Sequence, residues 1–249
     1  MPEERTRNIQ DSAPRALASE VALVTGGSRG IGRTIALRLA GRGAAVAVCG
    51  RDAAGLRATE AALRAAGVAA FSCVADVTRA ADAERLAAET AAALGAVTLL
   101  VNNAGIGLFG PAHERSEEEW DRVLDTNLKG VFLVSRAIVP GMIARRRGQI
   151  INISSLAGKN TFANGGLYCA SKWGLQGLSG CMAEDLREYG IRVSTVCPGT
   201  VATEFTPKAG KDVSRLLQPE DIAHVVEMLA TQGAQSFVSE VQMRPLRKP

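Results

Sequence analysis

The chain has 249 residues, 47% hydrophobic, 22% charged and only 4% aromatic, a balance that excludes wholesale disorder and gives ample length for a large core. Lysine and arginine total 29 against 25 acidic residues, a formal +4 too small and too scattered to read as a nucleic-acid footprint. Five well-separated cysteines without a C-x-x-C pair, and two histidines, leave little material for a disulfide framework, a zinc site or a Ser-His-Asp triad.

Residues 1–19 are polar, carry Pro2 and Pro14 and lack the apolar stretch of a secretory signal, so they read as a mobile tail before one domain at 20–249. A strand predicted at 21–25 runs into Thr25-Gly26-Gly27-Ser28-Arg29-Gly30-Ile31-Gly32 and then a helix at 33–41. Glycines in that context let the backbone approach a pyrophosphate, while free amides at the helix start attract its charge. A second strand at 45–49 ends in Gly50-Arg51-Asp52 before a helix at 53–66, and a third at 69–74 leads to Asp76-Val77 and a helix at 80–94. The fourth, at 98–101, leads into Asn102-Asn103-Ala104-Gly105. Ser116 and Glu119 form a capping box ahead of a helix at 122–144, whose end carries Arg145-Arg146-Arg147, cations expected to face solvent and the negative helix terminus. A fifth strand at 149–153 precedes Ser155 and a helix at 168–189; a sixth at 192–197 runs into Pro198-Gly199-Thr200-Val201-Ala202-Thr203; a helix at 219–229 and a strand at 237–241 complete the chain. Alternation of near-continuous apolar strands with helices implies an α/β fold, a parallel sheet covered on both faces. No uninterrupted apolar run is long enough to span a bilayer, so a soluble, cytoplasmic protein without membrane or nucleic-acid partners is expected.

Tyr168 and Lys172 stand four residues apart in Tyr168-Cys169-Ala170-Ser171-Lys172, a spacing that in a helix puts phenol and ammonium on one face within reach of each other. A tyrosine titrates near ~10 in water, and a fixed cation beside it favours the phenolate. A hydroxyl from Ser155 could hold a carbonyl oxygen for it. Cys169 either packs or faces that site; Cys49 and Cys73 read as core.

Gly26-x-x-x-Gly30-x-Gly32, Asn102-Asn103-Ala104-Gly105 and Tyr168-x-x-x-Lys172, in order at strand ends, resemble the short-chain dehydrogenase/reductase family. The resemblance covers nearly the whole chain after the tail. It implies a single-domain, doubly wound Rossmann-type fold of about seven parallel strands, and hydride transfer between a nicotinamide and a carbonyl/alcohol pair. Family roles fall on Asn127, Ser155, Tyr168 and Lys172, with Asn127 holding open a carbonyl for a relay water. They also place cofactor contacts at Gly26, Ser28, Arg29, Gly30, Ile31 and Gly32; at Asp76 and Val77 for adenine; at Asn103, Ala104 and Gly105 on the ribose side; at Tyr168 and Lys172; and at Pro198, Gly199, Val201 and Thr203 near the carboxamide. Asp76 could otherwise merely cap a helix. An NAD-binding member usually carries an acid where the second strand ends; here that position is Gly50, and Arg51 with Arg29 could clamp a 2′-phosphate, favouring NADP(H). Asp52 dissents unless it begins the next helix.

The substrate is less determined by these residues. Phe205, Pro207, Lys208, Lys211 and Arg215 lie in the covering loop and Lys159-Asn160-Thr161-Phe162 on the opposite wall. A ketone or 3-oxoacyl thioester reductase is expected, with a small-hydroxy-compound dehydrogenase or a non-catalytic NADP-binding regulator as alternatives. The ending Phe237-Val238-Ser239-Glu240-Val241-Gln242-Met243-Arg244-Pro245 departs from the glycine-rich one of the family's acyl-carrier-protein reductases. Helix 122–144 is apolar on two sides, and Gly174, Gly177 and Gly180 punctuate helix 168–189, so the resemblance implies a homodimer or homotetramer built on these helices.

Overall fold

The computed structural model describes residues 15–205 and 212–247. Seven strands, β1 Val21–Thr25, β2 Ala45–Gly50, β3 Ala70–Val74, β4 Leu99–Asn102, β5 Gly148–Ile153, β6 Ile191–Pro198 and β7 Glu240–Met243, form one sheet in the order β3-β2-β1-β4-β5-β6-β7. Every pairing is parallel; Val24, for example, lies between Val48 on β2 and Val101 on β4. Parallel strands require crossovers, and the helices that supply them cover both faces. These are α1 Gly30–Gly41, α2 Ala53–Ala65, α3 Ala80–Leu94, α4 Glu117–Leu124, α5 Gly130–Arg145, α6 Gly166–Arg187 and α7 Pro219–Ala230.

The period of two along each strand divides its apolar residues between two cores. Val24, Val46, Val48, Val101 and Ile151 meet Ile35, Leu39, Leu56, Leu63, Ile222 and Val226 on one face. Leu23, Ala47, Cys49, Leu100 and Ile150 meet Leu86, Leu133, Val134, Ile138 and Met142 on the other. Strand order reverses direction between β1 and β4, which opens a crevice at their carboxyl ends, the usual ligand position in such sheets.

Several boundaries shift from the sequence expectation. Residues 1–14 of the expected tail lie outside the described residues, but 15–19 form a turn whose Leu17 is buried in the first core. Its amide donates to the Arg42 carbonyl, so the packed domain begins before residue 20. The helix expected at 122–144 begins at Glu117 because the Ser116–Glu119 capping box is formed, and it passes through a π-helical stretch, Asp125–Lys129, before α5. Taken together, Glu117–Arg145 has the length and composition of a bilayer span, but Val131, Leu133, Val134, Ile138 and Met142 of α5 are buried inside the domain, as in a core helix. The cluster Arg145-Arg146-Arg147 does not simply face solvent: the three guanidiniums donate to the Val97 carbonyl, the Glu188 carbonyl and Glu20 respectively, fastening the end of α5 to its neighbours. β7 begins three residues later than expected, since Val241 pairs with Val196 and the Val238 amide is taken by the Gln232 side chain.

Candidate active site

The crevice between β1 and β4 is built from glycine backbone. Gly26 and Gly30 hold positive φ angles of 67° and 53°, which side chains resist. A Cβ on Gly32 would sit 2.3 Å from the Gly26 carbonyl oxygen, so only glycine lets α1 start this close to the turn. Thr25 Oγ1 accepts from the amides of Asn103 and Ala104 at 3.0 Å each, and Asn103 Nδ2 donates to the Thr25 and Gly26 carbonyls. The Asn103 side chain therefore locks the glycine turn to the β4 loop. No side chain caps the start of α1, which leaves its first amides, those of Gly30, Ile31 and Gly32, for an anion. The turn fits a dinucleotide pyrophosphate.

At the end of β2, Asp52 is spent as the N-cap of α2, accepting from Ala54 and Gly55 amides at 3.1 Å. The dissenting acid is thus resolved as a cap. Arg51 is exposed, has no hydrogen-bond or ion-pair partner among the described residues, and shares an open cleft with Asp76, Thr78, Ile106 and Thr126. Asp76 keeps its carboxylate local, accepting from the amide and hydroxyl of Thr78 at 3.0 and 2.9 Å. The Val77 side chain points into the core beneath Gly130, so only its backbone is available to a base. Arg29 departs from expectation: its guanidinium is ion-paired with Glu204, which follows Thr203 beyond β6, rather than free beside Arg51. The segment at Thr203 lies over the turn, its Cγ2 3.7 Å from where a Cβ on Gly30 would be. Pro198 ends β6, Gly199 donates its amide to Met243, and Val201 bridges to Leu217, so this segment is tied to the sheet edge and to the chain before α7.

Asn127, in the π-helical stretch, is fully buried. Its Oδ1 accepts from the Ile106 amide at 2.8 Å, and its Nδ2 donates to the Ile106 carbonyl at 2.9 Å and to Ser171 Oγ at 3.0 Å. Ser171 in turn donates to the Tyr168 carbonyl at 2.7 Å. This serine, which sequence reasoning missed although it lies inside the Tyr-x-x-x-Lys stretch, links Asn127 to the first turn of α6. A π-helical insertion at such a point is a common mark of function.

Ser155 follows β5, its Oγ accepting from the Ala157 amide at 3.0 Å and donating to the Pro198 carbonyl at 3.4 Å. Burial pushes the Tyr168 phenol up to about 12, opposed by its hydrogen bond with Ser155. Lys172 is buried, and burial pushes its ammonium down to about 8, with Cys197 acting the other way. Lys172 Nζ donates to the Ile153 carbonyl at 2.9 Å and lies 5.7 Å from the centre of the Tyr168 ring. The phenol is therefore not lowered by the lysine as expected: desolvation is the largest cause at both groups. Cys169 is buried and turned away, its thiol directed at the Asn160 carbonyl.

Over the tyrosine stand three phenylalanines. Phe109 meets its ring edge-on at 5.6 Å between centroids, Phe205 lies at 5.9 Å, and Phe162 packs on Phe109 at 6.1 Å. Phe109 was not singled out from the sequence, because nothing local marks the residue of a loop that folds over a helix some sixty positions later. Pro207, Lys208 and Lys211 of the expected covering loop lie outside the described residues; Arg215 is ion-paired with Asp212.

Residues 20–214 match the family model described as short chain dehydrogenase. Among curated relatives, the 3-oxoacyl-[acyl-carrier-protein] reductase of Staphylococcus epidermidis is 37% identical over 232 residues, covering 88% of this chain and 94% of its own. The 2-(S)-hydroxypropyl-CoM dehydrogenase 3 of Xanthobacter autotrophicus is 36% identical over 239 residues, covering 90% and 93%. Among solved structures, a metagenomic short-chain oxidoreductase in complex with NADP is 47% identical with a TM-score of 0.83, covering 94% of this chain and all of its own. A variant of the actinorhodin polyketide ketoreductase with NADPH is 35% identical with a TM-score of 0.84, covering 90% and 95%. With its seven-stranded sheet, its glycine turn at the switch point and Ser155, Tyr168 and Lys172 grouped beside that turn, the chain belongs to the short-chain dehydrogenase family of oxidoreductases, which act on alcohol and carbonyl groups.

Proposed function

We propose that the protein is an NADP(H)-dependent carbonyl reductase whose substrate is a ketone or 3-oxoacyl compound. The single observation that carries the cofactor preference is the end of β2, where the only acid is consumed as a helix cap and Arg51 stands free and exposed. NADP-bound relatives of the same fold support it.

The turn at Gly26, Ser28, Gly30, Ile31 and Gly32 would hold the pyrophosphate, Arg51 the 2′-phosphate, and Arg29 would join it on exchanging Glu204 for that phosphate. Asp76 and the Val77 backbone would border the adenine, Ala104 and Gly105 the ribose, and Pro198, Gly199, Val201 and Thr203 the nicotinamide end. A bound nicotinamide supplies or receives the hydride. Ser155 and Tyr168 hydroxyls hydrogen-bond the carbonyl oxygen and stabilise the charge that develops on it. Tyr168 then delivers its proton to that oxygen; its raised pKa keeps the phenol protonated, as reduction needs, throughout the neutral range. Lys172, held by Ile153, would bind ribose hydroxyls and supply positive charge beneath the ring. Asn127 fixes the Gly105–Ile106 backbone and, through Ser171, the turn that carries Tyr168.

The same two helices support assembly as a homodimer or homotetramer. Phe132 and Trp173 are about half exposed beside a cleft of about 400 Å³ lined by Leu124, Leu128 and Leu178. Gly174 is explained within the subunit, since a Cβ there would meet Leu128 at 2.9 Å, but Gly177 and Gly180 face open space. Light scattering at micromolar concentration should give a mass above 26.0 kDa. The functional reading is tested by following NADPH and NADH absorbance with ketones, 3-oxoacyl thioesters and aldehydes: NADPH-dependent turnover is expected, and tight NADPH binding without turnover of any of them would instead favour a regulatory binding protein.

A further inference from the structure

Three of the chain's six phenylalanines gather beside Tyr168, Phe109 and Phe205 against its ring and Phe162 against Phe109. They come from three separate loops at the carboxyl edge of the sheet: Phe109 after β4, Phe162 after β5 and Phe205 after β6. Their exposures of 38%, 50% and 45% leave a contiguous aromatic surface open beside a site that is otherwise polar. Exposed apolar patches of this kind mark binding sites. The arrangement is also close-packed from below, since a Cβ on Gly107 would stand 2.8 Å from both Phe109 and Phe205.

Charges near the rings are already matched. Lys159 pairs with Glu240, Arg115 with Glu119, Glu204 with Arg29 and Arg215 with Asp212. Among the described residues, then, the wall offers faces and edges of rings and no unpaired cation for a carboxylate or a phosphate-bearing carrier. The edge-to-face contact between Phe109 and Tyr168 leaves aromatic faces to receive a further flat group, an arrangement rings favour beyond simple area burial.

Resting on the reading above as a carbonyl reductase, we propose that Phe109, Phe162 and Phe205 form a clamp for a planar aromatic substituent, making aryl ketones and their secondary alcohols the substrate class. The clamp holds the aryl group so that the adjoining carbonyl points at Ser155 and Tyr168. Specificity is set by these three positions, while the proton-transfer group stays the same.

The test compares acetophenone with 2-octanone, which has the same number of carbons, and with acetoacetyl-coenzyme A, by calorimetric binding to the NADP⁺-loaded protein and by NADPH turnover. Acetophenone should bind roughly tenfold or more tighter than 2-octanone and show the highest kcat/KM. Phe109→Leu and Phe205→Leu, which keep apolar volume, should each erase most of that margin, about tenfold in kcat/KM for acetophenone and within about threefold for 2-octanone, with NADPH affinity unchanged as the check on folding. Equal binding of the two ketones, preference for the thioester, or an equal loss on all substrates in the variants overturns the clamp. Aryl-selective binding without turnover upholds the clamp and removes the reductase reading; turnover without aryl selectivity does the reverse.

Discussion

The proposed nucleotide and substrate sides of the crevice are made of different material. The first is backbone: glycines at angles or distances that exclude a Cβ, fastened by Thr25 and Asn103 to the neighbouring strand. The second is side chain: three partly exposed phenylalanines on loops, Phe109 and Phe205 against the Tyr168 ring and Phe162 against Phe109. A binding surface made of backbone recognises what every dinucleotide shares and tolerates almost no substitution. One made of loop side chains can be changed residue by residue without disturbing the sheet. Tyr168, Ser155 and Lys172 lie at the join, rigidly placed by β5 and α6.

The most disruptive way to probe this contrast is Gly32→Ala. Its Cβ would meet backbone at 2.3 Å, so we expect a loss of about 2 kcal/mol or more in stability and at least a hundredfold weaker NADPH binding, measured by denaturant melts and fluorescence titration. Gly41→Ala, at the other end of the same helix with nothing within 4 Å, should be neutral or stabilising by up to about 1 kcal/mol. If both behave alike, the backbone account of the turn is wrong.

Next in size is the pH dependence of the oxidative direction. Oxidation needs the phenolate, and Tyr168 is pushed up to about 12, so its ionised fraction rises with pH throughout the neutral range. Single-turnover alcohol oxidation should accelerate roughly tenfold from pH 6 to 7, below the range in which Lys172, at about 8, loses its charge, while reduction stays nearly flat. A flat oxidative profile would remove the buried phenol from the rate-controlling step.

Smaller effects discriminate within the nucleotide side. Arg51→Ala should weaken NADPH binding about tenfold to a hundredfold and leave NADH unchanged, because only the former presents a phosphate to the guanidinium. Equal losses for both would show that Arg51 does not read the phosphate. Glu204→Gln should tighten NADPH binding by no more than a few-fold, since it releases Arg29 from an exposed pair of the kind worth little in water.

Much of this was legible in the residues themselves. The seven strands and the turn after β1 follow from apolar runs bounded by glycine and proline, signals that are local and therefore readable. Asp52 was readable as an alternative to an NAD-type acid because a carboxylate directly before a helix has a capping role open to it. What the chain order concealed is contact between loops. Arg29 and Glu204 are 175 positions apart, and Phe109 and Tyr168 meet across the crevice, with no periodicity to announce either. The π-helical stretch that carries Asn127 was hidden for a different reason, since the phase shift of an extra residue reads, in a helix apolar on two sides, as a merely broader apolar stripe. The dominance of burial at Tyr168 also escaped, because spacing reveals that two groups are neighbours and says nothing of how much water each has lost.

Proton transfer by Tyr168 in the proposed NADPH-dependent carbonyl reduction is tested most directly by Tyr168→Phe, which keeps the ring and its contacts with Phe109 and Phe205 and deletes the hydroxyl alone. Ketone-dependent NADPH oxidation should fall by about a thousandfold or more while NADPH affinity, titrated on the same preparation, stays within about twofold of the native protein. Turnover within about tenfold of native would contradict the account.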